Sequence, residues 1–153
     1  MRRPVVLYLG GAAVLAALGG LLWAKATPIA SYTVLEGLAA SISERSQATI
    51  VAADATFSLI TGVLGLVIGI VGWLVLFRRG WWVVSVPVLA ALGASAITWW
   101  LGTIVGNNGF AARMAEAAVG DVVQMDLQLR SLSALLVGPF AAITPIMLLS
   151  AFW

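Results

Sequence analysis

"ATFSLITGVLGLVIGIVGWLVLF", Ala55 to Phe77, runs for 23 residues without a charged side chain, and its reading decides the fold. At a rise of 1.5 Å per residue, about 20 apolar residues cross a hydrocarbon core of about 30 Å, so this stretch is long enough for one membrane-spanning helix. Three more stretches are equally free of charge: Pro4 to Ala24, Gly80 to Ala112 and Ser131 to Trp153. They predict an all-α membrane protein, a single four-helix domain over residues 1–153 with spans near 5–24, 55–77, 81–104 and 132–152. Composition leads the same way. Hydrophobic residues make up 62% of the chain and charged residues 9%, with a mean hydropathy of +1.08, whereas a soluble domain carries about a quarter charged residues.

Within the opening stretch, Gly62, Gly65, Gly69 and Gly72 are spaced by three, four and three residues, which puts them on one face of a helix. In lipid, helices associate through close van der Waals contact, and small residues let two backbones approach. The stripe is therefore a helix-packing interface, either for another span of this chain or as a docking groove for a partner subunit's helix or a lipid chain. Small residues recur at Ala12, Ala16 and Gly19 or Gly20 in the first span, Ala90 and Ala94 in the third, and Ala134, Gly138 and Ala142 in the fourth. Pro139 and Pro145 are expected to kink the fourth helix, with Thr144 placed to bond freed carbonyls.

Tryptophan collects where hydrocarbon meets headgroups. Trp81 and Trp82 open the third span, and Trp99 and Trp100 stand 18 residues later, about 27 Å along a helix. Trp23 is expected to mark the far end of the first span, and Trp73, Phe77 and Trp153 the same membrane face as Trp81. Arg2, Arg3, Arg78 and Arg79 share one side, which the positive-inside rule makes cytoplasmic together with both termini. The run after Arg2 and Arg3, followed by Ala24-Lys25-Ala26, resembles a secretory signal, but its apolar core exceeds the usual 7 to 15 residues or so and reads as an uncleaved span.

The other side carries two longer segments, roughly 25–54 and 105–131, with all six acids. "TVLE" at Thr33–Glu36, "SISE" at Ser41–Glu44 and, more weakly, "DVVQ" at Asp121–Gln124 fit a helix-capping box. They predict helical extracytoplasmic extensions, the second and fourth helices beginning near Ile42 and Val122. Asp54 with Lys25, and Asp126 with Arg130 at i, i+4, are candidate interfacial ion pairs; Arg113 and Glu116 form a similar pair.

"VLAALG" occurs at Val14–Gly19 and again at Val88–Gly93, each copy downstream of an Arg-Arg pair. The offsets are 76 from Arg2 to Arg78, 74 from Val14 to Val88 and 76 from Gly62 to Gly138. This order predicts two tandem helical hairpins related by a parallel pseudo-two-fold along the membrane normal.

The chain has no cysteine and no histidine. That excludes disulfides, thiol chemistry, ordinary zinc sites and histidine-ligated haem, and no metal ligands, cofactor site or catalytic residues can be assigned. No ionisable group lies within a span to mark an ion path, and a net charge of +2 gives no nucleic-acid surface. "NNGF" at Asn107–Phe110 is turn chemistry.

With "RRP" before the first span, "LLWAKATP" leaving it and "AADATFSLITGVLGLVIGIVGWL" forming the second, the chain resembles small four-span membrane proteins of actinobacteria without an established function. It is also similar in kind to the small, cofactor-free accessory subunits of actinobacterial respiratory supercomplexes. The resemblance implies a multi-pass plasma-membrane protein whose partners are the bilayer and other membrane subunits. The expected role is a non-catalytic accessory, structural or assembly subunit, not an enzyme; the alternative is a small transporter or lipid-handling protein.

Overall fold

A computed structural model describes residues 2–36 and 40–152. Helix α1 spans Arg2–Ala26, α2 Glu44–Leu76, α3 Trp82–Val105, α4 Phe110–Glu116 and α5 Val137–Phe152, with a 3-10 turn at Leu132–Leu136 leading into α5. Strands β1 (Ser31–Val34), β2 (Ala40–Ser41) and β3 (Val122–Gln124) form an antiparallel sheet in the order β2-β1-β3. Four helical segments, those of α1, α2, α3 and α5, are long and apolar enough to cross a membrane. At 33 residues α2 is about 50 Å long, so it overshoots a hydrocarbon core of about 30 Å.

The bundle is held by spans that are not neighbours in sequence. The most extensive contacts join α2 with α5 and α1 with α3, while α2 also packs on α3, α3 on α5, and α1 less extensively on α2. Each of the four long helices buries one narrow seam. In α1 the seam is Tyr8, Ala12, Ala16, Gly19, Gly20 and Trp23, at helical three-to-four spacing.

Two core clusters divide the bundle by depth. Tyr8, Ala12, Ala16, Ile68, Ala91, Ala94 and Ala142 fill the middle and the arginine-bearing end. Trp23, Ala53, Phe57, Leu127 and Ala134 fill the opposite end. Trp23 is therefore not an interfacial marker as expected. It is fully buried, donates from Nε1 to the Ala53 carbonyl at 3.0 Å and meets Phe57 edge to face. Gly102 makes room for its ring. Trp81, Trp82, Trp99 and Trp100 do stand exposed at the two ends of α3; Trp153 lies outside the described residues.

Beyond the acid-bearing end, two of the three capping boxes lie on strands and start no helix: Thr33–Glu36 runs out of β1, and Asp121–Gln124 contains β3. Thr33 and Val122 face each other across β1 and β3, as do Tyr32 and Val123. β-branched and aromatic residues suit that pleated surface, and cross-strand pairing outweighs a short capping signal. The fourth span consequently enters helix at Leu132, not near Val122. At the start of α2 the helix is present, but the cap is Ser43, which accepts from the Ser46 amide; Ser41 belongs to β2.

Pro139 does not kink α5, because it sits in the first turn, where an amide lacks an intrahelical partner in any case. Pro145 is interior. Its missing amide frees the Ala141 carbonyl, four residues back, while the Thr144 hydroxyl bonds the Phe140 carbonyl instead.

Candidate functional site

The glycine stripe is divided between two contacts inside the chain. A Cβ added at Gly65 would fall on the Gly138 carbonyl, and one at Gly69 on the Ala142 carbonyl. The two pairs are matched at i, i+4 on both helices and run in the same direction, so α2 and α5 are parallel and the glycine Cα hydrogens face carbonyl oxygens. Such Cα–H···O contacts recur where helices cross closely. Gly72 instead receives the Pro87 ring of α3 and the Tyr8 hydroxyl of α1, while Gly62 stands looser: a Cβ there would lie 3.5 Å from the Val137 side chain.

Most hydroxyls in the bundle are bound to backbone. Tyr8 donates to the Ile68 carbonyl at 2.8 Å and Thr98 to the Ala16 carbonyl at 3.0 Å, tying α1 to α2 and to α3. Thr61 bonds the Phe57 carbonyl within its own helix. Ser95 Oγ is buried against Gly138 without a hydrogen-bond partner among the described residues. Thr98, a polar residue that could have served a transporter, commits its hydroxyl to the Ala16 carbonyl; the tie through Tyr8 and the seat of Pro87 are not evident from the sequence, where the i, i+4 series Tyr8, Ala12, Ala16, Gly20 is the available signal.

At the acid-bearing end, carboxylates staple backbone. Asp54 on α2 accepts from the amides of Arg130 and Ser131, at 3.1 and 2.9 Å, just before the fourth span. Asp126 accepts from Asn108 at 2.7 Å and from Phe110. Residues 125–130 are not helical, so the i, i+4 spacing invoked for Asp126 and Arg130 does not apply. Asp121 accepts from Ala118, and Arg113 donates to the Gln124 carbonyl on β3, at 2.9 Å in both cases. Lys25 lies exposed in the last turn of α1. Among the described residues no three His, Cys, Asp or Glu side chains gather as a metal site.

Three apolar grooves lie open on the outside of the bundle. A groove of about 370 Å³ lies between α1 and α3, lined by Ala12, Ala13, Ala90, Gly93 and Ala94, with Leu9 and Leu89 among its larger residues. A Cβ at Gly93 meets nothing within 4 Å. Between α1 and α2 run two apolar grooves, of about 150 and 360 Å³, that share Leu15. They differ in lining: small residues floor the first groove, leucine and valine wall the other two.

Fold and site together define a bundle of four helices compatible with a multi-pass membrane protein. No family model, curated protein or solved structure matches the chain at a significant level.

Proposed function

We propose that this protein is a non-catalytic accessory or assembly subunit of a larger plasma-membrane complex, with both termini cytoplasmic. The α1–α3 groove carries the reading. Ala13, Ala90 and Gly93 leave a slot on the lipid-facing side, and small residues are what a second transmembrane helix needs for close approach. The internal glycine contacts hold the bundle, so this slot is free for a partner. Hydroxyls tied to carbonyls and carboxylates tied to amides suit a structural role. The resemblance to actinobacterial accessory subunits selects a respiratory supercomplex as the setting to test first.

The same reading takes the bundle as two tandem hairpins. In support, the corresponding spans of the two halves pair with each other, in parallel. Ala16 meets Thr98 and Gly20 meets Gly102, each 82 residues on, while Gly65 meets Gly138 and Gly69 meets Ala142, each 73 residues on. These registers straddle the sequence offsets of 74 to 76, so one pair of spans has slid against the other.

Purification from native membranes in mild detergent tests the role. Other subunits should co-purify, and Gly93→Leu should abolish their recovery while leaving the isolated protein folded, because a Cβ there meets nothing within 4 Å and the groove beyond it is open. Recovery of the wild type free of other subunits sinks the reading. The alternative, a small transporter or lipid-handling protein, draws on the apolar grooves between α1 and α2; solute flux into reconstituted vesicles above empty ones would promote it.

A further inference from the structure

We infer that the arginine end of the α1–α2 seam is a binding site for one anionic phospholipid, its phosphate held by Arg3, Arg78 and Arg79 and one acyl chain lying in the groove below. This does not rest on the accessory role.

The levels of the groups follow from the antiparallel packing of α1 on α2. Tyr8 meets Ile68 and Gly72, and Gly19 meets Ile60 and Leu64, so residues of the two helices at one depth have numbers summing to about 80. Arg3 accordingly stands level with Phe77 and Arg78, one to two turns beyond the Tyr8–Gly72 contact. All six acidic side chains lie at the other end or in its loops, so none of them competes for these cations. Gly80, with φ +59°, turns the chain sharply after Arg79 and brings Trp81 and Trp82 into a stacked pair at 4.3 Å. Arg78 lies over the Phe77 ring, 5.6 Å from its centre. Aromatic rings beside guanidinium groups mark headgroup depth, where each cation attracts anionic lipid.

Directly beneath, the groove of about 150 Å³ is walled by Leu7, Leu15, Val67 and Val71. From Leu7 to Leu15 it covers about 12 Å of helix, most of one leaflet's share of the hydrocarbon core. Gly11 leaves it open: it is exposed, and a Cβ there meets nothing within 4 Å. Branched, bulky walls suit a flexible chain better than a helix backbone, which needs small residues for contact. Charge above and an apolar groove below specify a phospholipid of that leaflet, and the sign of the charge specifies an anionic one.

The test reconstitutes the full chain in nanodiscs of phosphatidylcholine alone or with phosphatidylglycerol, and follows both thermal stability and the lipids retained after transfer to detergent, by native mass spectrometry. Phosphatidylglycerol should raise the melting temperature and be retained in preference to phosphatidylcholine. R78Q/R79Q should weaken that retention on the order of tenfold, while R78K/R79K, which keeps the charge, preserves it. Gly11→Leu keeps every arginine and fills the groove, so it should lose the retained lipid without lowering stability in phosphatidylcholine. Equal retention of the two lipids by the wild type overturns the inference. Undiminished phosphatidylglycerol retention in Gly11→Leu or in R78Q/R79Q overturns it too, since the attraction would then come from general surface charge or from elsewhere on the protein.

Discussion

Replacing Gly65 by Ala adds one methyl group where the Gly138 carbonyl already sits, and overpacking of this kind typically costs about 1 to 3 kcal/mol. Thermal unfolding in detergent should show the loss for Gly65→Ala and Gly69→Ala, and little change for Ile70→Leu, whose side chain is 44% exposed toward lipid. If Gly65→Ala melts with the wild type, the α2–α5 crossing is not as close as described. Tyr8→Phe removes the hydroxyl that bonds the Ile68 carbonyl. Interhelical hydrogen bonds in membranes average about 0.6 kcal/mol, so this change should be measurably smaller than the glycine effect. The glycines were legible in the sequence because helical spacing displays a face. The hydroxyl bonds were not, since their acceptors are backbone carbonyls on other helices and leave no trace in residue periodicity.

Among the elements, the four spans could be read from charge-free length alone, because the hydrocarbon thickness dictates it. The acid-bearing end could not. There the short S/T-x-x-E pattern competes with strand pairing between segments about ninety residues apart, Thr33 with Val122, and only the assembled bundle brings them together. Asp54 is the joint between these regions, holding the Arg130 and Ser131 amides from α2. Hydrogen bonds to a charged group contribute about 1.5 to 3 kcal/mol, with the lower figure apt at this exposed position. Asp54→Ala should therefore speed hydrogen exchange at the amides of Arg130 and Ser131 and loosen the entry to α5, while exchange at mid-span amides of α2 stays slow. Uniformly faster exchange across the bundle would mean that Asp54 supports the whole fold and not this joint.

At the scale of the whole molecule, the tryptophans give a depth gauge. Variants retaining a single tryptophan, placed in vesicles of lipids brominated along their chains, should show Trp82 and Trp100 quenched near opposite surfaces and Trp23 protected at every depth, because Trp23 has no exposed surface. Quenching of Trp23 equal to that of Trp100 would contradict its place in the core. The pairing of α1 with α3 and of α2 with α5 also bears on how the protein is made. When the first two spans leave the ribosome they have only the less extensive α1–α2 contact to share, and the Gly65 and Gly69 backbone lies bare to lipid until α5 arrives some seventy residues later. The nascent hairpin must wait, unfinished, in the insertion machinery or the bilayer, and a message truncated after Gly80 should yield a product that membrane proteases clear.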